Sequence, residues 1–462
     1  MDFTHKLTVL LKARSSLIYI CTDEEKRLEY MICETLKGQD TWQIHTWDFV
    51  SGYTSNPSDL GRAARDPIQA IEFAEGMQDI STKSIFVLKD FDCFFNDISI
   101  GRRLKNFAYR LKSPANYIIL GSTSRIPSTL QAVINVIDFP LPNNKEIRYE
   151  VMELIKRTQN TIDSSLIDKI SSLCRGMTLE RIKRLLVKVI ASNNTINKNC
   201  ISCKLILEEK KQIINKTQIL EFYSTEEKIG SIGGLRSLKR WLRLRKDCFS
   251  RKAKLYGLPT PKGLLLVGIQ GTGKSLTAKV IANEWGLPLL KLEACLFSGI
   301  VGESELKVRN MIKTAESMAP AILWIDEIDK AFSGIYSQSD GGTASRVFGT
   351  LTSWLSEKKE QVFVIATANN VQNLPSELIR KGRFDEIFFL GLPNRLERQE
   401  ILETILRDLR PTTYREYNLE HICNFTDRFS GAELRQIVID SMYIAYNQGR
   451  GKKFKLCHVF VI

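Results

Sequence analysis

"PKGLLLVGIQGTGKSLTAKVIANEW", residues 261–285, decides the fold. Leu264–Val267 is a short apolar run that reads as a strand. The stretch after it, from Gly268 to Ser275, fits G-x-x-x-x-G-K-S. Glycines let successive backbone N–H groups converge on a polyphosphate, where any side chain would clash. The helix beginning near Lys274 aims its positive end at the same charge. On this reading Gly268, Ile269, Gln270, Gly271, Thr272, Gly273 and Leu276 shape the cradle. Lys274 reaches the β- and γ-phosphates of ATP, and the Ser275 hydroxyl holds Mg2+. A glycine-rich turn alone does not account for strand, cradle, Lys-Ser pair and helix in one sequence.

Such a cradle needs acids from a second strand, and "AILWIDEIDKAF" (321–332) supplies them. Asp326 is placed to position Mg2+, and Glu327 to polarise the attacking water as general base. Two acids at the end of an apolar strand are costly unless a cation or water satisfies them. "QVFVIATANN" (361–370) is a further buried strand ending at Asn369, whose amide can bond the γ-phosphate or the water. Asn at a strand end is also a common turn former; following the other two motifs, the catalytic role is the better reading. "LIRKGRFDEIFFL" (378–390) sets Arg380 and Arg383 ahead of an apolar strand. Two guanidiniums on such a loop suit an oxyanion, most naturally a phosphate.

Together these strings resemble the AAA+ ATPases of the main AAA clade, over roughly 225–450. The resemblance implies a P-loop NTPase parallel sheet with a helical lid: core 229–393, lid 394–462. It assigns Ile232 and Gly233, in "IGSIGGLRSLKRWL", to the adenine, and Gly431 and Ala432, in "FSGAELRQIVIDSM", to a backbone approach from the lid. It makes Arg380 and Arg383 paired fingers that reach a neighbouring subunit's γ-phosphate, so the active form is a ring, a hexamer in that family. "SGIVGESELKVR" (298–309) looks like the first pore loop, with aliphatic Ile300 where many remodelling relatives carry an aromatic, which weakens a threading role. There is no H-E-x-x-H and so no fused zinc protease. "GIQGTGKS", "LWIDEIDKAF", "ATANN" and "RKGRFDEIFF" are similar, more narrowly, to the AAA-domain proteins encoded in algal plastid genomes, with cyanobacterial relatives. That likeness implies a soluble plastid protein.

The first two hundred residues repeat the rhythm without the chemistry. "SLIYIC", "WQIHTW", "SIFVLKDFD", "NYIILGS" and "VIDFPLP" read as strands separated by helices, the pattern of a parallel α/β sheet. "IFVLKDFD" echoes "ILWIDEID", and "GMTLERIKRLL" resembles the lid segment "GAELRQIVI". Residues 1–200 are therefore read as a degenerate AAA-like domain with its own lid; the alternative is an unrelated α/β domain. "TDEEKR" (22–27) has no glycines and no Lys-Ser, and its acids would repel phosphate. Phe91 is taken to stand at the position of Glu327. A binding or regulatory platform is expected, joined by a Lys-rich linker with a helical start at 201–228.

Bulk properties add limits. The chain has 462 residues, enough for two or three domains. A net charge of +14 invites nucleic acid, yet abundant Lys, Ile and Asn equally suggest AT-rich coding. The cluster Lys239, Arg240, Arg243, Arg245 and Lys246 around Trp241 is either a solvated basic face or a patch for nucleic acid or anionic lipid. Ten cysteines without pairing rhythm fit a reducing compartment, and Cys200 and Cys203 form one C-x-x-C with no second pair at finger spacing. No apolar run is long enough for a membrane span, and the start lacks a secretory signal. Three functions remain: a ring ATPase that remodels or regulates a plastid partner, which is favoured; a nucleic-acid-dependent ATPase; and a nucleotide-gated scaffold with slow hydrolysis.

Overall fold

The computed structural model describes residues 3–13, 15–36, 42–53, 66–76, 83–109, 116–121, 126–157, 164–192, 199–216, 220–223, 227–292, 303–331 and 343–447. The chain separates into two compact units, Met1–Asn197 and Lys198–Ile462. Each unit is built on one six-stranded sheet.

In the second unit the strands are β7 (Leu220–Tyr223), β8 (Gly263–Gly268), β9 (Leu289–Leu292), β10 (Ala321–Ile325), β11 (Val362–Ala368) and β12 (Glu386–Leu390). Their order is β12-β8-β11-β10-β9-β7. All pairs are parallel except β7 with β9. Strands β8, β10 and β11 are buried along their whole length, which is why their sequences are continuous apolar runs rather than alternating ones. Alternate residues still serve opposite faces. Leu265 and Val267 join one core with Val308, Met311, Leu351 and Leu355. Leu264 and Leu266 join the other, with Leu238, Trp241, Ala278 and Ile281. Helices Arg395–Leu409, Leu419–Phe425 and Gly431–Asn447 follow the sheet and share a separate small core around Leu402, Ile422 and Leu434.

The first unit holds β1 (Leu17–Cys21), β2 (Trp42–Asp48), β3 (Gly52–Tyr53), β4 (Lys83–Leu88), β5 (Asn116–Gly121) and β6 (Asn135–Asp138). Their order, β3-β2-β4-β5-β1-β6, matches the second sheet in its five parallel strands; the edge strand differs in origin, β3 following β2 while β7 precedes β8. Here too the one antiparallel pair, β2 with β3, lies at the same edge. Helices Asn144–Arg157, Ser164–Leu173 and Leu179–Ser192 stand where the second unit has its three closing helices.

Two expectations need correction. The stretch 201–228 is no simple linker: it contains much of helix Asn199–Lys216 and all of edge strand β7. Ile214, Leu220 and Phe222 are buried in the core of the second sheet. Lysines between them conceal the inward positions, and in β7 the residues alternate buried, exposed, buried. The second correction concerns Phe91. After β4 the residue with left-handed backbone is Asp90 (φ 50°), as Glu327 (φ 52°) is after β10. Asp90 therefore corresponds to Glu327, Lys89 to Asp326, and Phe91 to the equally buried Ile328.

Candidate nucleotide site

The cradle runs from the end of β8 into helix Lys274–Trp285. Gly271 (φ 81°) and Gly273 (φ 90°) adopt left-handed backbone, closed to most side chains. A Cβ on Gly268 would lie 2.1 Å from the Leu390 carbonyl oxygen, so β8 and β12 pair this closely only with glycine there. The Lys274 ammonium, almost fully buried, donates to the carbonyls of Gly268 (2.7 Å) and Ile269 (2.8 Å). Burial pushes its pKa down, against the opposing pull of Asp329, Asp326 and Glu327.

Strands β10 and β11 bring the acids to the cradle. Asp326 Oδ1 accepts from the hydroxyls of Thr367 (2.6 Å) and Ser275 (3.4 Å). Thr367 also accepts the Glu327 N–H at 3.0 Å, which fixes the strained backbone of the acid. The Glu327 carboxylate lies between the Lys330 ammonium (2.8 Å) and the Asn369 amide (3.3 Å). These contacts, Lys330 first, hold it below the usual carboxylate range. Buried Asp329 accepts the N–H groups of Asn369 and Asn370, each at 3.1 Å, and so sets the end of β11.

The lid closes the space. Ala432 N–H donates to the Gly271 carbonyl at 3.1 Å. Gly233 is packed so closely on Ile401 that a Cβ would overlap it. The cavity between cradle and lid, about 480 Å³ and open to solvent, has the size of a small-molecule site. It is lined by Ile232, Gly233, Gln270, Gly271, Thr272, Gly273, Lys274, Ser275, Leu276, Asp326, Glu327, Asn369, Gly431 and Ala432. Gly268 and Ile269 stand behind this wall as acceptors for Lys274. Thr367, Thr404, Ile405, Asp408 and Arg435 also line the cavity, and the sequence reading missed them. Thr367 had a signal in "ATAN", two residues before Asn369; the lid residues carried only helical periodicity.

One hydroxyl and one carboxylate, Ser275 and Asp326, are hard oxygen donors that fit Mg2+ held jointly with phosphate oxygens. Among the described residues no three His, Cys, Asp or Glu side chains gather into a metal cage. The side chains of Cys200 and Cys203, and all of Ile300, lie outside the described residues.

Arg380 and Arg383 do not line the cavity. They precede β12, which pairs parallel with β8, Glu386 opposite Leu264 and Leu390 opposite Gly268. The arginines thus sit at the starts of these strands and the cradle at their ends. Arg383 donates to the Glu377 carbonyl. The basic cluster on helix Arg236–Arg245 is partly engaged internally. Lys239 donates to the Ile232 carbonyl (2.5 Å), Arg245 lies 4.0 Å over the Trp241 ring, and Lys246 pairs with Glu284 at 2.9 Å.

At the corresponding place in the first unit, ion pairs stand on the wall of a cavity of about 800 Å³. Glu24, buried, accepts the Leu179 N–H at 2.5 Å and pairs with Arg27 at 2.6 Å. Arg27 also pairs with Glu146 at 2.8 Å. Lys89 pairs with Glu29 (2.6 Å) and Glu25 (3.5 Å), so a cation stands where the second unit has Asp326.

Residues 264–392 match the model of the ATPase family associated with various cellular activities (AAA). Residues 3–139 and 145–217 match the N-terminal and second domains of SpoVK-like AAA ATPases. A protein of Trieres chinensis, "Uncharacterized AAA domain-containing protein ycf46", is 52% identical over 97% of this chain and 90% of its own length. Its namesake in Pyropia yezoensis is 50% identical over 97% and 91%. An "ATP-dependent zinc metalloprotease FtsH" of Nitrosococcus oceani is 33% identical over 48% of this chain and 35% of its own. With half of its residues shared along nearly the full length of both chains, the protein belongs to the AAA ATPases, among the AAA-domain proteins that algal plastid genomes encode.

Proposed function

We propose that the protein hydrolyses ATP as a ring of identical subunits, each completing its neighbour's site, and that it remodels or regulates a protein partner in the plastid. The observation that carries the ring is the placement of Arg380 and Arg383. Strand β8 has six residues, about 20 Å at some 3.3 Å per residue. An arginine side chain before β12 does not bridge that length to its own cradle. A neighbour's cradle is the site it can serve.

In this reading Lys274 leaves its carbonyl partners for the β- and γ-phosphates, and the cradle N–H groups bind their oxygens. Glu327 accepts a proton from the attacking water, oriented by Asn369. Ser275 and Asp326 would hold Mg2+, which when bound withdraws charge from the phosphates. Ile232, Gly233 and the lid residues Gly431 and Ala432 enclose the base and close on the cradle. The neighbour's Arg380 and Arg383 stabilise charge developing on the γ-phosphate. The first unit, with ion-paired acids in place of a glycine cradle, serves as a recruiting platform. The internal partners of Lys239, Arg245 and Lys246 favour a structural basic face over a nucleic-acid patch.

Arg383→Ala and Glu327→Gln test this together. Each alone should bind ATP and lose turnover; loss of such a finger costs about 10³–10⁵ in rate. Mixed, they build interfaces with an intact base from one and an intact finger from the other, so activity should return, peaking near equal proportions. Mixed rings that form and stay inactive would overturn the shared site. Glu327→Gln, holding ATP, is also the form with which to capture the partner from plastid extract.

A further inference from the structure

The turn that carries the two arginines is held from outside itself. Phe384 is buried in the core of the second sheet. Asp385 Oδ2 accepts the N–H groups of Lys262 (2.6 Å) and Gly263 (2.9 Å), and the Asp385 N–H donates to the Gly263 carbonyl at 2.9 Å. These contacts fix the exit of the turn against the start of β8. Its tip is gripped separately. Gly382, between the arginines, has φ 101°, which only glycine adopts readily, and its carbonyl accepts from the Lys262 ammonium at 2.8 Å. The same ammonium donates to the Ser356 carbonyl at 2.8 Å, anchoring the grip on helix Thr343–Glu357. Beneath it, Lys358 donates to the Lys262 carbonyl at 2.5 Å, and desolvation pulls that second ammonium down to about 7.

We propose that Lys262 is a positioning residue for hydrolysis in the adjoining subunit: by holding the Gly382 carbonyl it sets Arg380 and Arg383 toward the neighbour's γ-phosphate. The proposal rests on the shared-site reading above. It assigns a lysine with no place in its own chain's nucleotide cavity to the chemistry of the next. Lys262 and the cradle lie at opposite ends of β8, so its loss should spare ATP binding and act on turnover alone. A misplacement of about 1 Å costs up to 100-fold in rate.

The test uses full-length chains and sorts Lys262→Met into a complementation group. Alone, it should bind a fluorescent ATP analogue within about two-fold of native and lose roughly 10- to 100-fold in turnover. Mixed with Glu327→Gln it should regain activity, because that chain supplies a sound finger while Lys262→Met supplies cradle and base. Mixed with Arg383→Ala it should not, since no interface then has a positioned finger. Lys262→Arg should restore most of the turnover. Asp385→Asn, which loosens the exit of the same turn, should fall in the same group and stands in if Lys262→Met does not fold. Recovery with Arg383→Ala, recovery with neither partner despite intact ATP binding, native turnover, or loss of ATP binding in both variants would each overturn the assignment. If Arg383→Ala and Glu327→Gln fail to complement each other, the shared site falls, and this proposal with it.

Discussion

Glu327, the proposed base, has its carboxylate already engaged, bonded to Lys330 on one oxygen and Asn369 on the other. Both contacts favour the ionised form and make it a weaker base. Lys330 is exposed, so the pair is well screened and its effect is small. Lys330→Met should therefore raise turnover only about two- to five-fold, with ATP affinity unchanged, in a steady-state phosphate-release assay. A fall instead would mean that Lys330 acts on the phosphate rather than restraining the base. Lys274, Ser275, Asp326 and Glu327 were legible in the sequence because each motif is contiguous and its chemistry is written in neighbouring residues. Thr367 was not: its role exists only because β11 lies beside β10, where one hydroxyl serves both acids.

At the level of elements, the strands of both sheets could be read from apolar runs, but what belonged to which unit could not. Strand β7 pairs antiparallel with β9, a neighbour distant in sequence that only the fold brings beside it. Phe222 shows the consequence. In a linker, Phe222→Ala would be nearly silent. Buried in the core of the second sheet, it should cost about 3 kcal/mol or more. The check is the temperature at which ATP binding is lost, which follows the second unit specifically and should fall by several degrees. The confusion of Phe91 with the place of Glu327 was avoidable: "IFVLKDFD" and "ILWIDEID", laid one on the other without a gap, already put Asp90 opposite Glu327, and the left-handed backbone at both residues bears that register out.

The molecule as a whole carries the same sheet twice and the nucleotide chemistry once. The first unit has no glycine cradle; near its place Arg27 joins Glu24 and Glu146 on the wall of a cavity, and Lys89 separately joins Glu25 and Glu29. Isothermal titration should accordingly find one ATP per native chain and none on Lys274→Ala. Residual saturable binding by that variant would reveal a site in the first unit. The exchanged charges at Lys89 also have a consequence in evolutionary time. Lys89→Asp alone would bring a third carboxylate against Glu25 and Glu29, while Glu25→Lys alone would press a second ammonium on Lys89. Each single step back toward a phosphate site meets like-charge repulsion before any ligand can compensate it. Reversing the charges at this group thus needs two changes made together, a ratchet whose pawl is one lysine.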